Sequence, residues 1–131
     1  MKPICNLLCV AALAAAAPLA HAALPAVQRG EWVLKSKVDG QPHEARMCGN
    51  PLDKVAAAIA AARGAEKLGC SVRVENPVPR TVNVSVDCPA GRGRSAWLSV
   101  NAASMQSVWI ELRRGGRHES LHAERVGDCS R

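Results

Sequence analysis

Thr81-Val82-Asn83-Val84-Ser85-Val86-Asp87-Cys88 is the stretch whose reading decides the fold. Valine alternates with Thr, Asn, Ser and Asp, and an unbroken period of two marks a strand with one buried face. The same period extends in both directions. Upstream, Cys70, Val72 and Val74 alternate with Ser71, Arg73 and Glu75, and Asn76-Pro77-Val78-Pro79 makes a turn. Downstream, Ala96, Leu98 and Val100 lie opposite Ser95, Trp97 and Ser99, and Val108, Ile110 and Leu112 lie opposite Ser107, Trp109 and Glu111. A last strand is expected over Arg117 to Val126, with Gly127-Asp128-Cys129 closing the chain. Short strands separated by turns every ten residues or so indicate an antiparallel meander.

The N-terminal half adds a hairpin and a helix. Ala23 to Arg29 is a short leader of Pro and small residues. Trp32, Leu34, Ser36 and Val38 then alternate with Glu31, Val33, Lys35 and Lys37, and Asp39-Gly40 is a strong hairpin signal. Gln41 to Met47 returns as a more polar strand, and Pro42 makes it an edge strand or an irregular one. Asn50-Pro51 opens a helix, with Asn as N-cap, Pro at the first helical position and Asp53 facing the positive end. Leu52, Val55, Ile59 and Ala62 share one helical face, and Gly64 is the expected stop. Lys54, Ala57, Ala58 and Ala61 make the other face bland, which reads as a lid on a sheet. The expected class is α+β: a curled antiparallel β-meander packed with one α-helix.

Length and composition bound the rest. The chain has 131 residues, enough for one small domain. Lys2, an apolar run from Ile4 to Ala17, and Ala20-His21-Ala22 read as a Sec-type signal peptide over residues 1–22. Cleavage falls at Ala22/Ala23 and leaves one exported domain over residues 23–131. The apolar run is shorter than the roughly 20 residues that span a bilayer. The mature chain is therefore expected to carry no transmembrane segment and to reside in the periplasm. There are 17 Lys+Arg against 11 Asp+Glu, a formal charge of +6. Trp32, Trp97 and Trp109 are the only aromatics besides histidine, which argues against a base-stacking nucleic-acid module.

Cys5 and Cys9 leave with the signal, so Cys48, Cys70, Cys88 and Cys129 remain. Four cysteines in a short exported chain read as two disulfides. Three connectivities are possible. Cys48–Cys70 with Cys88–Cys129 is favoured, because the first would tie the ends of the helical insert and the second would lock the tail to the sheet. A Cys70–Cys88 cross-strand bridge, symmetric about Pro79, is the rival.

His118-Glu119-Ser120-Leu121-His122 matches HExxH. On a helix that spacing holds Zn²⁺ and supplies a base for the bound water. Here it follows a Gly-rich turn and sits where the last strand is expected, and two His four apart in a strand lie about 13 Å apart at ~3.3 Å per residue. A third protein ligand is also needed, and after His122 only Glu124 and Asp128 could supply it besides Cys129. The expectation is a polar strand, no catalytic set, no cofactor and no metal. Arg92, Arg94, Arg113, Arg114 and Arg117 are the candidate anion-binding set. They cluster in two turns that a meander could bring to one end of the sheet, forming a basic rim; the bland alternative is a solvated surface. Trp97 and Trp109 lie opposite the aliphatic faces of their strands. They are either buried by a second layer, which a core without Phe or Tyr favours, or they mark a binding patch.

Gly30-Glu31-Trp32, Val38-Asp39-Gly40, Met47-Cys48 before a helix, Cys70 after it, Asp87-Cys88-Pro89 and Gly127-Asp128-Cys129 occur in an order that resembles a family of small exported bacterial proteins, classed as a periplasmic domain of unknown function. The resemblance covers nearly the whole mature chain. It implies an exported, disulfide-containing sheet protein and carries over no catalytic residues. The functional expectation is a non-enzymatic periplasmic binding or interaction protein. Its partner would be an anionic envelope component, met through the Arg-rich turns, or another periplasmic protein. The alternatives are a small zinc hydrolase using His118, Glu119 and His122, and an inhibitor of a secreted hydrolase.

Overall fold

The computed structural model describes residues 24–91 and 95–130. The proposed signal peptide and both Arg92 and Arg94 therefore lie outside the described residues. Seven strands form one antiparallel sheet: β1 (Gly30–Val38), β2 (Gln41–Gly49), β3 (Ser71–Glu75), β4 (Thr81–Asp87), β5 (Ala96–Ser104), β6 (Ser107–Arg114) and β7 (Arg117–Gly127). One helix, α1 (Asp53–Gly64), accompanies them. The molecule is mainly antiparallel sheet with one helix and two disulfides.

The strand order is β2-β1-β7-β6-β5-β4-β3, which is more than a meander. β3 to β7 run as consecutive neighbours, a five-strand meander. The last strand returns to pair with β1, and the β1–β2 hairpin forms one edge. The α1 connection therefore leads from the β2 edge to the opposite β3 edge. Asp39 (φ 48°) and Gly40 (φ 83°) turn the first hairpin, and Gly115 (φ 55°) and Gly116 (φ 81°) turn the β6–β7 hairpin. Two successive residues at positive φ match the right-handed twist of the flanking strands. Pro42 sits on edge strand β2, as its missing N–H requires.

The helix begins and ends later than the sequence indicates. Asn50 does not cap it directly. Its Oδ1 accepts from the Leu52 N–H at 2.8 Å and its carbonyl from the Asp53 N–H at 3.2 Å, closing a turn before the first helical residue. Gly64 stays helical, the chain continues as a 3₁₀ turn over Ala65–Leu68, and Gly69 at φ 83° makes the stop. The left-handed conformation, not the mere presence of a glycine, ends the helix.

The core lies on one face of the sheet. Trp32, Val100 and Val108 are fully buried there, with Ala102, Ile110 and Ala123, and Leu52 and Val55 cover them from the helix. Leu24 and Val27 of the N-terminal leader also pack on this cluster. The leader is held by backbone: Gln28 N–H donates to the Met105 carbonyl at 2.8 Å, and Trp32 Nε1–H donates to the Gln28 carbonyl at 3.1 Å. A buried indole thus satisfies its one donor.

The disulfides are Cys48–Cys129 and Cys70–Cys88, which corrects the favoured pairing and upholds its rival. The reason is topological. α1 carries the chain across the sheet, so Cys48 and Cys70 stand at opposite edges. Cys48 instead pairs with Glu31 of β1, whose other neighbour is Gly127, two residues before Cys129. Cys70 and Cys88 flank the Ser71–Asp87 pair of β3 and β4, with Cα atoms 4.2 Å apart.

The two bridges close loops of 81 and 18 residues. Loop-closure entropy assigns them roughly 4–5 and 3 kcal/mol. The Cys48→Ala/Cys129→Ala variant is expected to lower the urea unfolding free energy more than Cys70→Ala/Cys88→Ala, as equilibrium denaturation will show. A second expectation concerns glycines. A Cβ at Gly30 would fall on the Gly127 carbonyl and the Arg125 guanidinium, whereas one at Gly64 meets open space. Gly30→Ala should destabilise by about 1–3 kcal/mol and Gly64→Ala should stabilise by about 0.5–1 kcal/mol, read as shifts in the same urea midpoint.

Candidate functional site

The helix covers one face of the sheet and leaves the other open. Cross-strand register lays the open face out in rows. One row is His118-Arg113-Trp97-Ser85-Arg73, from β7 to β3. Another is Glu44-Lys35-His122-Trp109-Asn101-Thr81, from β2 to β4. The side chains are mostly polar, so this face tolerates water.

Trp97 and Trp109 both belong to it, and burial by a second layer is therefore corrected. Trp97 is half-buried and Trp109 is 53% exposed. Among the described residues no element packs over them, because α1 lies against the Trp32 face. Each indole takes a cross-strand partner instead. Arg113 Cζ sits 5.5 Å from the Trp97 ring centroid, a cation–π distance. Trp109 stacks on His122 with centroids 3.8 Å apart and planes at 5°. His122 Nε2 also lies 3.1 Å from Ser107 Oγ and 3.3 Å from Glu124 Oε1.

Arg113, Arg114 and Arg117 gather at one end of the sheet, while Arg92 and Arg94 lie outside the described residues. Ala96 pairs with Arg114, which pairs with Arg117 across the Gly115-Gly116 turn. The Asp39-Gly40 hairpin reaches the same end. Asp39 N–H donates to the His118 carbonyl at 3.0 Å, the Asp39 carboxylate accepts from the His118 N–H at 3.2 Å, and it lies 3.4 Å from Arg117 Nε. One aspartate thus ties the two hairpins together. Among the described residues, Arg113, Arg114, Arg117, His118 and Trp97 line a single open pocket of about 480 Å³, with Asp87 the one carboxylate on that lining. Among the described residues, no carboxylate forms an ion pair with Arg113 or Arg114.

A second open groove of about 560 Å³ runs along β1, β2 and β7. Lys35, Lys37, His43, Glu44, Trp109 and His122 line it. The Trp109–His122 stack forms its floor, and its ionisable groups are of mixed sign.

The HExxH residues do not converge. They lie in strand β7, where His118 and His122 share the open face four positions apart and Glu119 points to the other face beside Leu112 and Val38. His118 belongs to the arginine end, and His122 belongs to the Trp109 stack. Among the described residues, no three His, Cys, Asp or Glu side chains come together as a metal would need. The roles of Asp39 and of the Trp109–His122 pair were not read from the sequence. The register of the Gly115-Gly116 hairpin would have given the second of them, because it sets His122 opposite Trp109.

Burial separates the tryptophans. Trp32→Ala should cost about 3–5 kcal/mol, while Trp109→Ala should cost no more than about 1 kcal/mol, the worth of one exposed cross-strand pair. Urea denaturation of the two variants will show the difference. No family model matches this chain, and neither a curated protein nor a solved structure matches it.

Proposed function

We propose that the chain is exported, loses residues 1–22 at Ala22/Ala23, and acts in the periplasm as a non-enzymatic binding protein for an anionic envelope component. The observation that carries this reading is the pocket lined by Arg113, Arg114, Arg117 and His118, with Trp97 beside them. Three guanidiniums face Asp87 on the lining and Asp39 beside Arg117, so the pocket keeps a net positive field carried by Arg113 and Arg114, and an open pocket of that sign concentrates anions. Guanidiniums also bind phosphate and carboxylate bidentately. Two disulfides support an oxidising compartment. Among the described residues, no helix is long and apolar enough to cross a membrane. The order of the Gly30, Trp32, cysteine and Gly127-Asp128-Cys129 motifs supports kinship with small exported bacterial sheet proteins.

The test is sedimentation of the mature protein with phosphatidylglycerol vesicles and with phosphatidylcholine vesicles. Basic residues near an anionic surface contribute about 1 kcal/mol each, so Arg113→Ser/Arg114→Ser/Arg117→Ser should weaken phosphatidylglycerol binding about a hundredfold. Raising the salt should weaken the wild type in the same direction. The variant keeps the fold, because the one ion pair it removes is exposed on both sides. Equal binding by wild type and variant would overturn the reading.

A further inference from the structure

The helix meets the sheet tightly only at its start. Leu52 and Val55 are buried, Ile59 and Ala62 are half-buried, and Ala58 and Ala61 are exposed. Beyond Val55 the helix offers the sheet mostly methyl groups, which leave the space between the layers unfilled. An apolar crevice of about 350 Å³ results. Ile59 and the alanines form one wall, and Val84, Val86, Leu98 and Leu112 form the other. Arg114 is the only charged residue on its lining. Interiors seldom hold voids much larger than a water molecule, and a space of this size is that of a small-ligand pocket.

Ala96, Trp97 and Arg114 line both this crevice and the arginine pocket. The two spaces therefore share a boundary, apolar on the helix side and cationic on the other. We infer that together they bind a single-chain anionic amphiphile, its acyl chain under α1 and its carboxylate or phosphate at Arg114 and the neighbouring Arg117; this rests on the anion-binding reading above and names its ligand class. The chemistry selects the occupant. A peptide in the crevice would strand backbone N–H and C=O groups against methyl walls, whereas a hydrocarbon chain loses nothing there. Arg114 and Arg117 outnumber Glu119 beside them, so the charge at the mouth is positive and the head is an anion. The volume lies at the lower end of the ligand-pocket range, which fits one chain and not two.

The test is calorimetric titration of the mature protein with octanoate, decanoate and dodecanoate below their micelle concentrations. Burial of each methylene should raise affinity about fourfold, hence more than tenfold for each pair of carbons added. Dodecyltrimethylammonium, with the same chain as dodecanoate and the opposite charge, should bind at least tenfold more weakly than dodecanoate. Ala58→Leu/Ala62→Leu fills the crevice with good helix formers and should abolish the chain-length dependence. Arg114→Gln should weaken every chain length by the same factor. Competition by lysophosphatidylglycerol would identify a phospholipid as the source of the chain, and competition by oleate alone would identify a free fatty acid; either supports the assignment. The wild-type series needs no variant to fold. A flat series, with vesicle binding still governed by Arg113, Arg114 and Arg117, would overturn the crevice assignment and leave the anion site standing. A flat series with vesicle binding indifferent to those arginines would remove both.

Discussion

Glu31 pairs with Cys48 on one side and Gly127 on the other, so the first strand of this protein lies between the second and the last. The remaining architecture depends on that insertion. It buries Trp32 completely, with its N–H on the Gln28 carbonyl. It presses Gly30 so close to the Gly127 carbonyl that no side chain fits. Arg125 closes the junction by donating to the Arg29 carbonyl and to Asp128, and Cys48–Cys129 makes the closure covalent. Burial, backbone contact, charge and a disulfide all act within a few residues of one seam.

Placing β1 in the interior makes β2 an edge and obliges the next segment to reach the far side of the sheet. α1 does this with a sequence so rich in alanine that it covers the core without filling the layer it creates. Leu52 and Val55 suffice to anchor it, since the valine and isoleucine positions beneath them are already packed around Trp32. The largest fully buried side chain, Trp32, lies in this half of the molecule. The crevice beside Val84, Val86 and Leu112 lies towards the opposite end, where the Gly115-Gly116 turn is.

The two faces differ for the same reason. A single helix can cover only one of them, so Trp97 and Trp109 face water and take Arg113 and His122 as partners. That face was legible as alternation but not as exposure. The expectation that its indoles would be buried came from a shortage of aromatic residues, and it failed because Trp32, with the valines, fills the core alone. The gathering of Arg113, Arg114 and Arg117 was legible from the Gly115-Gly116 turn, whose register leaves no other arrangement. Asp39 as the tie between two hairpins was not legible, because β1 and β7 are neighbours only through a contact some eighty residues long.

Alternation at 81–88, 96–100 and 107–112 by itself determined that these segments are strands and which side chains share each face, because side chains leave a strand alternately whatever its neighbours are. Asp39-Gly40 and Gly115-Gly116 likewise determined two hairpins, since positive φ is a local requirement that few residues meet. HExxH within a strand run could be set aside as a helical metal motif on the same local grounds. Only the tertiary structure decided the strand order, the cysteine pairs and the space beneath the helix. An alternating strand offers the same face and the same backbone groups to any neighbour. The choice among neighbours is made by contacts such as Gly30 on Gly127 and Cys48 on Cys129, whose partners lie far apart in the chain and come together only when the whole sheet has formed.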